Sequence, residues 1–150
     1  KVLLLGQGDH AAVADEAWMQ FSLLAPKFQT LSDSHLQRIA LSTLTESDAV
    51  LYFSYAGATR EVLDAAEIVQ QVGARMILVT RFLHAPAAEC ADVLLQCGVE
   101  ERPLPHRSVD ELLSQLYVIE VLAARYRLME DAHTRENRER IGGILEKRQV

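Results

Sequence analysis

The stretch Ala49-Val50-Leu51-Tyr52-Phe53-Ser54-Tyr55-Ala56-Gly57-Ala58-Thr59-Arg60-Glu61 changes its period partway along. Its first five residues form a short apolar run, the pattern of a buried strand. From Thr59 to Val72 apolar residues return at i, i+3, i+4, the helical spacing, and Gly73 supplies a stop. A strand that enters a helix through a Gly-containing turn is half of a βαβ unit, and such a unit needs parallel partners.

The same alternation runs outward in both directions. Val2 to Leu5, Phe28 to Leu31, Met76 to Thr80 and Val93 to Gln96 read as further strands. Ala11 to Leu24 and Ser34 to Leu44 read as helices, and Pro86 to Cys90 as a short helical turn. Strands alternating with helices predict an α/β protein with a five-stranded parallel sheet. Right-handed crossovers then put helices on both faces, giving a three-layer αβα sandwich. Ser34 with Gln37 reads as a capping box, and Ser108 with Glu111 as a second one opening a helix from Val109 to Met129. That last helix carries Leu112, Leu113, Leu116, Ile119, Val121, Leu122 and Tyr126, more apolar face than one sheet can cover. Residues 130–150 are dense in charge of both signs, with Ile141, Ile144 and Leu145 to bury, and read as a peripheral C-terminal helix or tail.

Composition fits one domain spanning residues 1–150. Of these residues 49% are hydrophobic and 24% charged, enough to close a core without metals or disulfides. The formal net charge of -6 lacks the positive field that drives non-specific nucleic-acid binding, so contact with DNA needs residues outside this chain. The apolar runs fall far short of the roughly 20 residues that span a bilayer. The opening run after Lys1 lacks the apolar h-region and small-residue cleavage site of a secretory signal, so it is not expected to be one. A soluble, cytoplasmic domain with no membrane partner is expected. Cys90 and Cys97 are too far apart for a CxxC pair and lack the companions a zinc site needs, so both read as buried reduced thiols. No metal or other cofactor is expected.

Two turns carry candidate chemistry. Gly6-Gln7-Gly8-Asp9-His10-Ala11 has the form GxGxxA after a strand. It reads either as a dinucleotide fingerprint, with Asp33 after the second strand as the ribose acid, or as glycines that allow a tight turn and close helix packing. Both readings put it at the carboxyl end of a strand, where open α/β sheets bind ligands. Ser54 to Thr59 places a strand-end hydroxyl, a glycine and an N-cap threonine around free backbone N–H groups, an anion cradle. It is not a P-loop, because GxxxxGK[ST] is absent from the chain.

Taken together, these residues resemble a family. The Gly-x-Gly turn, Asp33-x-His35-x-Gln37, Asp48 before a strand, Ser-x-x-Gly-x-Thr-x-Glu over Ser54 to Glu61, Gly73-Ala74 before Met76 to Thr80, and Cys90-Ala91-Asp92-Val93-Leu94 are similar to the sugar isomerase (SIS) domain. Within it the chain looks most like the effector domain of RpiR-type transcriptional regulators. The resemblance implies a flavodoxin-like strand order 2-1-3-4-5 and an N-terminal helix-turn-helix domain ahead of residue 1. It also implies a homodimer or higher homo-oligomer and a sugar phosphate effector that alters DNA binding by the attached domain.

Carried over by position, the implied ligand-binding residues are Gly8, His10, His35, Ser54, Tyr55, Ala56, Gly57, Ala58, Thr59 and Glu61. Two depart from the family pattern: His10 and Ala56 stand where serines are usual. Two hydroxyl donors are thereby lost, at about 1.5 to 3 kcal/mol for each hydrogen bond to a charged group, and an imidazolium at His10 offers one replacement. His35 and Glu61 are placed to face the sugar hydroxyls. No catalytic residue is expected in the sensor. The alternative is an aldose-ketose phosphosugar isomerase, with Glu61 as the base and His35 or His10 as the acid. His84 and His106 lie in loops at strand ends, and Trp18 reads as core or dimer packing.

Overall fold

The apolar runs pair into one parallel sheet in the order β2-β1-β3-β4-β5, the order implied by the resemblance. In this computed structural model, which describes residues 1–98, 109–129 and 132–146, the strands are β1 (Val2–Gly6), β2 (Phe28–Thr30), β3 (Ala49–Phe53), β4 (Arg75–Thr80) and β5 (Val93–Gln96). The helices are α1 (Asp9–Ser22), α2 (Ser34–Ser42), α3 (Arg60–Val72), α4 (Val109–Leu128) and α5 (Ala132–Glu146), with a 3₁₀ turn over Pro86–Cys90. Ser108, read as the cap of the last long helix, and residues 99–107, with His106, lie outside the described residues.

The continuous apolar runs follow from burial on two faces. Successive side chains of a strand point to opposite sides. Leu3 and Leu5 of β1, Val50 and Tyr52 of β3, and Met76 and Leu78 of β4 pack with α2, α3 and the 3₁₀ turn. Leu4, Leu51, Phe53 and Val79 pack on the other face with α1 and α4. Register is continuous from Val2 opposite Ala49 to Gly6 opposite Phe53, which brings the ends of β1 and β3 level. There β1 leads outward to α1 and β2, while β3 leads the other way to α3 and β4, so the two connections diverge and leave a crevice.

Several local expectations need correction. The N-cap of α2 is Asp33, whose carboxylate accepts the Leu36 N–H at 2.8 Å, so Ser34 and Gln37 form no capping box. Gln37, one position beyond the box, is buried. Helix α1 begins two residues earlier than read, at Asp9. Its buried stripe is Val13, Ala14, Ala17 and Phe21, which leaves Trp18 41% exposed and outside the core of its own chain. Thr59 is the N-cap of α3 by position but makes no side-chain cap bond. Gly73 ends α3 in the left-handed region at φ 74°, as its sequence position implies. Both cysteines are free thiols, Cys97 buried and Cys90 only half-buried.

Helix α4 is apolar on more than one side. Gln115, Ile119 and Ala123 face the core. Leu113, Tyr117 and Val121, spaced four apart, stay 50% exposed or more, and Tyr117 and Val121 line a groove shared with β5. In α5, Ile144 and Leu145 are also more than half exposed. No helix among the described residues is long and apolar enough to cross a membrane.

Candidate functional site

The carboxyl ends of β1, β3 and β4 carry the residues singled out above. Gly6 closes β1 and lets α1 begin directly over it: a Cβ built there would stand 2.3 Å from the His10 carbonyl oxygen. Gly8 follows as the α1 N-cap at φ 58°, a conformation suited to glycine. It is exposed, with open space where a side chain would be. The two glycines therefore have a turn-and-packing role, and Asp33, in use as a helix cap, is not free to act as a ribose acid.

The turn after β3 is held by bonds to its neighbours. Ser54 is buried; its N–H donates to Val79 O at 3.1 Å and its Oγ accepts the Gly57 N–H at 3.2 Å. The Tyr55 carbonyl accepts from Thr80 Oγ1 at 2.9 Å and from the Arg81 N–H at 3.0 Å. Gly57, at φ 60°, accepts the Ala87 N–H at 3.0 Å, and a Cβ in its place would come within 2.7 Å of Ala85 Cβ. Ser54 and Gly57 thus act locally on structure, shaping the turn and latching it to the end of β4.

Ala56, Ala58, Thr59 and Glu61 are exposed on the rim of this turn. Among the described residues, no partner takes the backbone N–H of Ala58, Thr59, Arg60 or Glu61. These open the first turn of α3, where the helix dipole and unpaired amides favour an anion. Two amides that sequence reasoning assigned to the cradle are used internally, Gly57 on Ser54 and Tyr55 on His10. The Tyr55 ring is half-buried and meets Phe82 edge-on at 6.0 Å. Burial, then the nearby Glu111 carboxylate, raises its phenol above the usual range.

His10 lies between three elements. The Tyr55 N–H, which can only donate, reaches His10 Nε2 at 3.4 Å. Nε2 is therefore the acceptor, and the network assigns the ring proton to Nδ1, which donates to Gln115 Oε1 of α4 at 2.9 Å. Both ring nitrogens thus engage the protein. His35 is exposed on the first turn of α2 and has no polar partner among the described residues.

Between α2 and α3, at the divergence of β1 and β3, lies a crevice of about 210 Å³. Gln7, Ser34, Arg38, Arg60, Glu61 and Asp64 supply its polar wall. Arg38 is held by Asp64 at 2.9 Å, whereas Arg60 has no charged partner among the described residues. Gln37 forms the floor: it donates to Leu31 O at 2.6 Å and Gly6 O at 3.3 Å and accepts from Gln7 Nε2 at 2.7 Å. Tyr52 of β3 is buried, its phenol raised by burial and then by the Glu61 charge.

The structure therefore brings His10 and Tyr55 together and sets Glu61 on both the turn and the crevice. His35 is not among the residues that line that crevice. Sequence reasoning missed Gln7, Arg38, Arg60, Asp64 and Gln115. Arg60 left a legible signal, a cation in the first turn of a helix, where the dipole disfavours it. Gln115 left another, a polar residue on the Leu112, Ile119 stripe. No cluster of three His, Cys, Asp or Glu suited to a metal ion occurs among the described residues.

The family model described as SIS domain matches residues 1–125 of this chain. The HTH-type transcriptional regulator RpiR of Escherichia coli K12 is 26% identical over 143 residues, 95% of this chain and 48% of that protein. The Vibrio vulnificus NanR protein complexed with ManNAc-6P superposes with a TM-score of 0.85 at 19% identity, over 96% of this chain and 54% of that one. The sugar isomerase domain of the RpiR transcription factor from Sphaerobacter thermophilus superposes at 0.79 with 20% identity, over 97% of this chain and 78% of that one. At these identities the two structures speak for the fold. The chain spans about half the length of the curated relatives it matches.

Proposed function

The chain belongs to the SIS domain family, and from that membership we propose that it is the phosphosugar-sensing part of an RpiR-type transcriptional regulator. Its effector is a sugar phosphate, bound at the carboxyl ends of the strands. Binding alters how an attached helix-turn-helix domain engages DNA. The observation that carries this reading is the row of unpartnered amides from Ala58 to Glu61 at the start of α3, beside a polar crevice, in a chain whose curated relatives are named as transcriptional regulators.

On this reading the phosphate sits on the Ala58 to Glu61 amides and the Thr59 hydroxyl, over the turn shaped by Ser54, Tyr55, Ala56 and Gly57. Gly8 borders it from the first turn, and His10 stands behind the turn with both ring nitrogens bound within the protein. The sugar extends toward Glu61 and the crevice, with His35 on the first turn of α2 outside the crevice wall. The domain works as a homodimer through the exposed stripe of α4, since a helix apolar on more than one side calls for cover beyond that given by its own sheet. It senses its ligand without turning it over. Ligand-driven change in DNA affinity requires that the sugar phosphate bind two quaternary arrangements unequally.

Thermal unfolding with a panel of hexose, pentose and amino-sugar phosphates, each beside its unphosphorylated sugar, tests the reading. One phosphosugar at 100 times its dissociation constant is expected to stabilise the domain by about 2.7 kcal/mol, with no effect from the parent sugar. Absence of any phosphate-dependent shift, or isomerisation of the sugar by the isolated domain, counts against it. Ala56→Ser is expected to tighten binding of that phosphosugar by about tenfold, because it adds one hydroxyl donor to a charged acceptor at an exposed position. Titration calorimetry of the variant reads that gain directly.

A further inference from the structure

The crossing of three elements at His10 has a use that neither the fold nor the amide cradle requires. The imidazole touches the turn after β3 through the Tyr55 N–H and touches α4 through Gln115, a residue 105 positions away in the chain. Gln115 is fully buried, and among the described residues its Nε2 has no partner and its Oε1 is bonded to His10, so α4 carries a polar side chain in its buried stripe that is tied to that ring. A leucine on that stripe would pack without an unpaired amide; leaving a buried donor unmatched is unfavourable.

We infer that His10 is a positioning residue that couples the anion cradle to α4, with Gln115 as its receiver. The inference rests on the sensor reading above and adds the route by which a bound anion is felt at the exposed face of α4. The Tyr55 N–H adjoins the cradle and is the weaker-held member of the chain, at 3.4 Å against 2.9 Å for the bond to Gln115. An anion on the turn competes with His10 Nε2 for that proton. When Tyr55 turns toward the anion, the ring loses its anchor on the turn and swings about its remaining bond, drawing the Gln115 side chain with it. Since Gln115 lies on the same helix as Leu113, Tyr117 and Val121, the movement reaches the surface stripe.

Nuclear magnetic resonance of the domain tests this in two steps. Long-range ¹⁵N–¹H spectra of the histidine rings are expected to show His10 with its proton on Nδ1, the less common neutral tautomer; a proton on Nε2 overturns the junction at once. Inorganic phosphate is then titrated while the Thr59 to Glu61 amides and the Ile119 and Val121 methyls are followed. In the native chain both sets are expected to shift along one saturation curve. His10→Asn keeps a donor for Gln115 at the position of Nδ1 but cannot reach Tyr55; His10→Gln keeps the reach to Tyr55 but loses the Nδ1 position. Either variant is expected to retain the cradle shifts and lose those of α4. Methyl shifts that persist unchanged in both variants overturn the inference. Should phosphate move no cradle amide even in the native chain, the cradle reading and the coupling both fall, while the tautomer measurement independently reports whether the junction exists.

Discussion

Gly6→Ala is expected to destabilise the domain by about 3 kcal/mol, at the upper end of what inserting one methyl into a packed site costs. The reason is the identity of the atoms it meets. The new Cβ would lie 2.3 Å from the His10 carbonyl oxygen and 2.7 Å from its carbon. These belong to the backbone of the first turn of α1, which cannot rotate aside as a side chain can. The start of α1 must therefore lift away from β1. That displaces the Gln7 to Ala11 turn, which is closed by the His10 N–H to Gln7 O and the Ala11 N–H to Gly8 O, both 3.1 Å. It also withdraws His10 from Tyr55 and Gln115. Urea unfolding is expected to show a lower midpoint with an unchanged slope. Gly142→Ala, within α5 and with none of the described residues near the added carbon, provides the contrast: it is expected to leave the global stability within about 0.5 kcal/mol of the native value. Equal effects at the two positions would mean that the tight seat of α1 on β1 is wrong.

Gly57→Ala is expected to cost about 2 to 4 kcal/mol and to abolish phosphosugar binding together with it. Two effects add. At φ 60° an L side chain is strained by about 1 to 2 kcal/mol. The Cβ would also stand 2.7 Å from Ala85 Cβ and 3.1 Å from Thr80 Oγ1, an overpacking of the joint between the turn and β4. Relief requires the turn to move outward, which breaks the Ala87 N–H bond to Gly57 O and pulls Gly57 from Ser54 Oγ. The amides that open α3 then no longer converge. Calorimetry with the phosphosugar found by thermal unfolding, run well below the variant's melting temperature, separates lost binding from lost folding. Full affinity in a folded Gly57→Ala domain would show that the cradle does not depend on this turn.

The strands were legible because burial on both faces leaves a strong local trace. Leu3-Leu4-Leu5 and Val50 to Phe53 are unbroken apolar runs, since alternate residues serve opposite layers. Right-handed crossovers put helices on both faces, while the strand order 2-1-3-4-5 came from the resemblance to the SIS domain and not from the pattern of elements. What escaped was decided by single-residue offsets or by distance along the chain. Asp33 and Ser34 are both good N-caps, and only the fold selects Asp33. That choice moves Gln37 from a capping position into the floor of the crevice. Trp18 lies one step off the Val13, Ala14, Ala17, Phe21 stripe, close enough to read as core and far enough to be exposed.

The site was legible in outline for the same reason and illegible in its wiring. A serine at a strand end, a glycine and an N-cap threonine mark a turn that offers amides, and the structure holds such a turn over Ser54 to Thr59. No local pattern reveals that Tyr55 and Gly57 use their amides within the protein. Nor could His10 be paired from sequence with Gln115, because a helix from the far end of the chain supplies that partner. Sequence position made His10 a candidate phosphate ligand; the fold gives both its nitrogens to the protein and makes it a junction.

The most direct test of the sensor reading is a site-resolved titration of the ¹⁵N-labelled domain with the stabilising sugar phosphate and, separately, with its unphosphorylated parent. The phosphate ester is expected to shift the Ala58, Thr59, Arg60 and Glu61 amides saturably, while the parent sugar leaves them in place at the same concentration. Saturable shifts centred elsewhere, or equal shifts from both sugars, would contradict a phosphosugar sensor built on this turn.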